Sequence, residues 1–159
     1  MMTAAEKTEA AARTEGGRKR TVDLLARAEK QELLAAWDAL AEQPVVQPVR
    51  GPETGLVMVR GRIGGGGAPF NLGEVTVTRA TVRLASGSVG HAQALGTDRE
   101  KARLSAIFDA LWQEEATMRF VEEKLLSPIA RRIADDNNRK AEETSATRVD
   151  FFTMVRGED

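Results

Sequence analysis

A chain of 159 residues with 42% hydrophobic side chains is long enough for one domain with its own core. Its 23 basic and 24 acidic side chains leave a net charge of -1, which excludes the basic surplus that a nucleic-acid or anionic-membrane binder needs. With no cysteine and one histidine, disulfides, thiolate catalysis, iron–sulfur ligation, Cys-based zinc sites and His-rich metal sites are excluded within one chain.

Residues 1–20 are mostly Ala, Glu, Thr, Lys, Arg and Gly. With almost no large apolar side chain they cannot offset the entropy of ordering, so a mobile extension is expected before a single domain over 21–157. Neither a signal-peptide stretch nor an apolar run near the ~18 residues of a membrane span is present, so a cytoplasmic location is expected. At ~100° per residue, Val22, Leu25, Ala26, Leu33, Ala36, Trp37 and Leu40 share one face, predicting an amphipathic helix closed by Pro44 and Pro48. Glu29 interrupts that stripe without explanation.

From Thr54 the texture changes. Leu56, Val57, Met58 and Val59 put apolar groups on both faces, which predicts a central strand covered on both sides. Gly64 to Gly67 turn the chain. Apolar parity is odd at Val75 and Val77 and even at Ala80, Val82 and Leu84, predicting a β-bulge near Thr78 and Arg79. Ser86-Gly87-Ser88 marks a tight turn into a returning strand, Val89 to Leu95, which completes an antiparallel meander.

Thr97-Asp98-Arg99-Glu100 matches a capping box and opens a long central helix, with Leu104, Leu111, Met118 and Leu125 spaced by seven. Ser127-Pro128 reads as an N-cap followed by a first-turn proline, starting a polar helix to about Thr144. A C-terminal strand is predicted to turn Val149, Phe151, Thr153 and Val155 inward and Arg148, Asp150, Phe152, Met154 and Arg156 outward. The expected class is α+β: a meander with an N-terminal helix, a long central helix, a further helix and this last strand.

The catalytic inventory is thin. A lone His91 reads as an ordinary strand residue. Gly64 to Gly67 precede neither a Lys-Ser/Thr pair nor a helix, so they read as a loop rather than a phosphate cradle. Asp135-Asp136-Asn137-Asn138 offers oxygens, but within a predicted helix that cannot wrap a cation. No catalytic residue and no metal ligand is assigned. Arg79 and Arg83, four apart on one strand face, suit two chemistries that stay open: bidentate binding of phosphate or phosphonate, or ion pairing at a subunit contact. Trp112, Phe120, Phe152 and Met154 are left over from one core and point to an obligate subunit, with Arg148, Asp150 and Arg156 as orienting charges.

Three blocks, Glu53 to Val57, Thr78 to Leu84 and Ala146 to Gly157, occur in an order that resembles the PhnG family of the bacterial carbon–phosphorus lyase system, over about Thr21 to Gly157. The resemblance implies an accessory subunit of a core complex with PhnI, PhnH and PhnJ, not catalytic alone. In that family PhnI, supported by PhnG, PhnH and PhnL, exchanges the adenine of MgATP for a phosphonate to give α-D-ribose 1-phosphonate 5-triphosphate. PhnJ, a radical S-adenosylmethionine enzyme, later cleaves the carbon–phosphorus bond. No cofactor is implied for this chain itself. A regulatory domain that binds phosphate or phosphonate through Arg79 and Arg83 is the alternative.

The parity of the last strand makes a prediction. Phe152→Ser or Met154→Ser should weaken partner binding by about 1 to 3 kcal/mol and leave the fold intact. Phe151→Ser should damage the fold itself. Circular dichroism and partner pull-down check both, and the opposite pattern reverses the face assignment.

Overall fold

The computed structural model describes residues 16–147. Residues 16–26 form helix α1, the chain breaks at 27–29, and α2 follows over Lys30–Asp38. The single N-terminal helix expected from periodicity is therefore two. Glu29 sits at the break as the N-cap of α2, and its N–H donates to Glu32 Oε2 at 2.7 Å. Residues 16–20, assigned above to the extension, are helical because Arg18 anchors them to the helix behind the sheet. The expected mobility of residues 1–15 lies outside the described residues.

Three antiparallel strands, β1 (Val46–Arg62), β2 (Pro69–Leu84) and β3 (Val89–Leu95), form a sheet in the order β1-β2-β3. The central strand is β2; β1, expected at the centre, lies at an edge. A short turn at Ile63–Gly65 joins β1 to β2, with Gly64 and Gly65 at φ 61° and 75°, a backbone region that side-chain-bearing residues avoid.

The bulge expected near Thr78 and Arg79 is absent, since Glu53↔Arg79 and Thr54↔Thr78 are consecutive partners. Register shifts fall instead between Pro48 and Arg50, Arg50 and Glu53, and Val59 and Arg60. The parity change has another cause. Thr78, Ala80, Val82 and Leu84 face the core, whereas Val75 and Val77 lie on the opposite face.

Behind the sheet, α3 spans Arg99–Trp112. Its N-cap is Asp98 rather than Thr97, and the carboxylate accepts from the Lys101 N–H at 2.9 Å. The helix stops at Gln113, where the Gln113 amide donates to the Asp109 and Val89 carbonyls and the Thr117 hydroxyl to that of Leu111. The predicted long helix is thus divided into α3 and α4 (Glu115–Val121). A π-helical turn over Glu122–Leu126 then runs directly into α5 (Ser127–Ala146). Ser127 is no cap, because Leu126 before it is already helical. The widened turn lies where the Pro128 ring would otherwise meet the Lys124 carbonyl. The predicted C-terminal strand lies outside the described residues.

The core gathers Leu104, Ile107, Phe108 and Leu111 of α3, Leu25 and Leu33 of the first two helices, Leu125, Leu126 and Ile129 after α4, and the sheet's Ala80, Val82, Leu84 and Ala92. The strand–helix approach is closest at Gly90, where an added Cβ would lie 1.9 Å from Ala106 O and 2.7 Å from Ala110 N. Both are backbone atoms of α3 and cannot rotate away. Gly90→Ala should therefore force β3 off α3 and lower stability by at least ~3 kcal/mol, at the upper end of overpacking costs. Thermal or urea unfolding measures it; an unchanged midpoint would mean this approach is not required.

Candidate interaction surface

The sheet face turned away from α3 is built from rows of three. At its base stand Gln47, Arg83 and Val89, then Arg50, Thr81 and His91, then Glu53, Arg79 and Gln93. The next row is Gly55, Val77 and Leu95, and beyond it Val57 pairs with Val75 and Val59 with Gly73. The base is polar and the far end apolar.

β3 pairs only with Val77 to Arg83 of β2, whereas β1 and β2 continue together to Arg62↔Pro69. The outer hairpin therefore leaves the domain as an arm of about eight residues per strand, roughly 26 Å long. Leu56, Ile63 and Leu72 on it are 64%, 74% and 66% exposed, and Val57 and Met58 are about half exposed. Apolar groups on both faces of an arm that no other described residue covers form the kind of patch that marks a contact surface. The charges are one-sided as well. Residues 46–84 carry five arginines, two glutamates and no lysine in a chain of net charge -1. Aromatic, aliphatic and Arg content without Lys is the composition of protein interfaces.

On the polar base, Glu53 Oε1 accepts from Arg50 Nε at 2.7 Å and from Arg79 Nε at 2.9 Å. Arg79 is thus paired within its own chain. Arg83 is exposed and has no ion-pair partner among the described residues. The four-residue spacing puts the two Cα atoms roughly 13 Å apart, with Thr81 between them, so the strand does not itself converge them on one small anion. His91 projects onto this face, its Nδ1 3.1 Å from Thr81 Oγ1.

Other residues singled out by sequence fall elsewhere. Trp112, taken as an interface candidate, is buried: its Nε1 donates to Glu122 Oε1 at 2.8 Å and its ring lies beside Gly17. Phe120 is half-buried against the same core. Neither is a free anchor. Arg148, Asp150, Phe152, Met154 and Arg156 lie outside the described residues. Gly64 to Gly67 form the hairpin tip, where the Gly67 N–H donates to Ile63 O at 3.0 Å. Asp136, within α5, pairs with Arg139 at 2.9 Å. Among the described residues no group of three or more His, Asp or Glu is arranged to hold a metal ion.

Two ion pairs escaped the sequence reading. The fully buried Asp109 carboxylate accepts from Arg18 Nε at 3.2 Å and its terminal nitrogen at 2.9 Å, and from the His91 backbone N–H at 2.8 Å. The hydrogen bond from Arg18 to Asp109 raises the arginine's pKa above its ordinary value, against the opposing effect of partial burial. One acid inside the apolar run Ile107-Phe108-Asp109-Ala110-Leu111-Trp112 was the available signal, but it could not name its partner. Arg132 joins Glu32 through bonds of 2.8 and 3.0 Å and also donates to Arg27 O, locking the α1–α2 break. Burial pushes the Glu32 carboxyl up, yet hydrogen bonds from Arg132 and the Glu29 N–H outweigh it and hold the carboxyl below its usual value.

Comparison with known proteins gives two findings. The family model described as "Phosphonate metabolism protein PhnG" matches residues 16–157. The chain is also 65% identical over 142 residues to the alpha-D-ribose 1-methylphosphonate 5-triphosphate synthase subunit PhnG of Rhizobium meliloti (strain 1021), covering 89% of this chain and 90% of that protein.

An arm outside the core should tolerate polar substitution. Ile63→Lys and Leu72→Lys should each change stability by less than about 0.5 kcal/mol, as at ordinary surface positions, while reducing binding of a hydrophobic dye to the isolated chain. A large fall in melting temperature would place the arm in the core instead.

Proposed function

This chain belongs to the PhnG family, and from that premise we propose that it is the accessory, non-catalytic subunit of a synthase complex that degrades organic phosphonates. Identity of 65% over nearly the whole of both chains supports carrying the subunit role across. The observation that carries it is the arm, whose apolar groups on both faces are exposed among the described residues and offer a surface for another protein to cover. In the finer reading the chain supports a PhnI nucleosidase step, in which adenine of MgATP is exchanged for a phosphonate, in company with PhnH, PhnJ and PhnL. It holds no cofactor of its own in that reading, since the nucleotide belongs to the partner's step. No helix among the described residues is long and apolar enough to cross a membrane, and dependence on ATP favours the cytoplasm.

A second reading has its own observation. Exposed Arg83, on the same face as Arg50 and Arg79, which together outnumber their shared partner Glu53, makes the sheet base an electropositive face that could bind a phosphate or phosphonate.

Co-expression with PhnI, PhnH and PhnJ, followed by size-exclusion chromatography, tests the proposal. The chain should co-elute with its partners. Replacing residues 56–76 by Asn-Gly, a two-residue hairpin turn, should abolish co-elution and preserve helical circular dichroism. A monomer with full synthase turnover would overturn the subunit role. Calorimetric binding of ATP or methylphosphonate to the isolated chain, lost in Arg83→Ala, would favour the second reading.

A further inference from the structure

We propose that Thr54–Val59 of β1 is an open pairing edge that takes up an extended strand of another subunit, apolar on both faces and acidic where it passes the hairpin tip. This rests on the subunit role above and names how the contact is made.

The sheet order leaves one side of β1 unpaired among the described residues. Proteins blunt such edges with proline, charge and bulges, because a row of free N–H and C=O groups otherwise pairs with any strand that reaches it. β1 is blunted in this way at both ends. Pro48, Pro52 and two register shifts interrupt its first half, and a third shift with Arg60 and Arg62 interrupts the tip. Between them, Glu53↔Arg79 to Val59↔Gly73 runs in unbroken register. Thr54-Gly55-Leu56-Val57-Met58-Val59 contains no proline and no charge. The guarding devices stop where this segment starts and resume where it ends.

The segment is about 20 Å long, an ordinary strand length. The edge strand's own side chains are apolar on each face: Val57 and Val59, beside Val75, Val77 and Leu95, on one, and Leu56 and Met58, beside Thr76 and Glu74, on the other. An added strand would therefore find apolar neighbours for both of its own faces. At the tip end Arg60 and Arg62 place positive charge, which selects a strand acidic at that end; at the other end Arg50 is already paired with Glu53. Main-chain hydrogen bonds supply the attachment, and the alternating pockets and tip charges supply the choice of partner.

Hydrogen exchange read residue by residue over 50–62, in the isolated chain and in the co-purified complex, tests the pairing. In β1 every second amide already bonds to β2. The others face the open edge; they should exchange fast in the isolated chain and slow by about 100-fold or more on assembly. Proline placed at Leu56 or Val57, whichever amide is the fast one, should leave the fold intact and abolish co-elution. Leu56→Lys is a second variant, putting an edge charge on the strand without altering its backbone, and should weaken assembly at least tenfold. Fast amides in an assembled complex would overturn the strand addition and leave the subunit role standing. Concentration-dependent slowing in the isolated chain would assign the edge to a second copy. Slowing there that disappears when residues 148–159 are deleted would assign it to this chain's own C-terminal segment. Either result overturns the proposal, and failure to assemble at all overturns both the pairing and the subunit role.

Discussion

The contact of β3 with α3 at Gly90 fixes the rest of the molecule. Glycine lets the strand backbone reach that of Ala106 and Ala110, and only then can the His91 N–H donate to the Asp109 carboxylate. That carboxylate is fully buried and would be costly if left unsatisfied. Its other acceptor sites are met by Arg18, which draws α1 across the same joint. One buried acid therefore ties the consecutive β3 and α3 to α1, which lies far away in sequence. The strand that carries His91 is short, so the covered part of the sheet is short too.

The arm follows from this geometry. β2 is sixteen residues long, but β3 spans only seven and is the strand held directly to α3. What β1 and β2 carry beyond β3 lies past the limit of the core. Within the covered part the apolar groups of β2 face inward at Ala80, Val82 and Leu84, and the outer face is polar with Arg79, Thr81 and Arg83. Past it, apolar groups occupy both faces. Thr78 marks the boundary. Its hydroxyl donates to Gly96 O at 2.7 Å and lies 3.0 Å from that of Thr54, so the last inward position of the covered sheet is closed by hydrogen bonds rather than packing.

Elements built from strong local signals were legible in the sequence. The amphipathic faces, the tight turn at Ser86-Gly87-Ser88 and the returning strand from Val89 to Leu95 follow from periodicity and turn chemistry, and the structure has them. The misreadings share one physical origin. Apolar side chains on both faces of β1 were read as a central strand, because a sequence reports that a group requires cover without reporting which chain provides it. The parity change in β2 was read as a bulge for the same reason. Glu29 looked anomalous on a continuous helix only because the break was missing from that reading. The pairings Arg18–Asp109 and Arg132–Glu32 join residues about ninety and one hundred positions apart, a separation no local pattern encodes.

The division of charge completes the picture. The ion pairs that tie the domain together are long-range in sequence: Arg132 with Glu32, Arg20 with Glu122, and Arg18 with the buried Asp109. On the outer hairpin Arg60 and Arg62 outnumber the one carboxylate, Glu74, while Arg50 and Arg79 share Glu53 on the base below it. An excess of positive charge beside uncovered aliphatic groups weakens self-association, since two identical arms repel each other, while it favours an acidic partner. On the proposed reading the arm is selective through its charge and adhesive through its apolar faces, and neither property calls on a catalytic group in this chain.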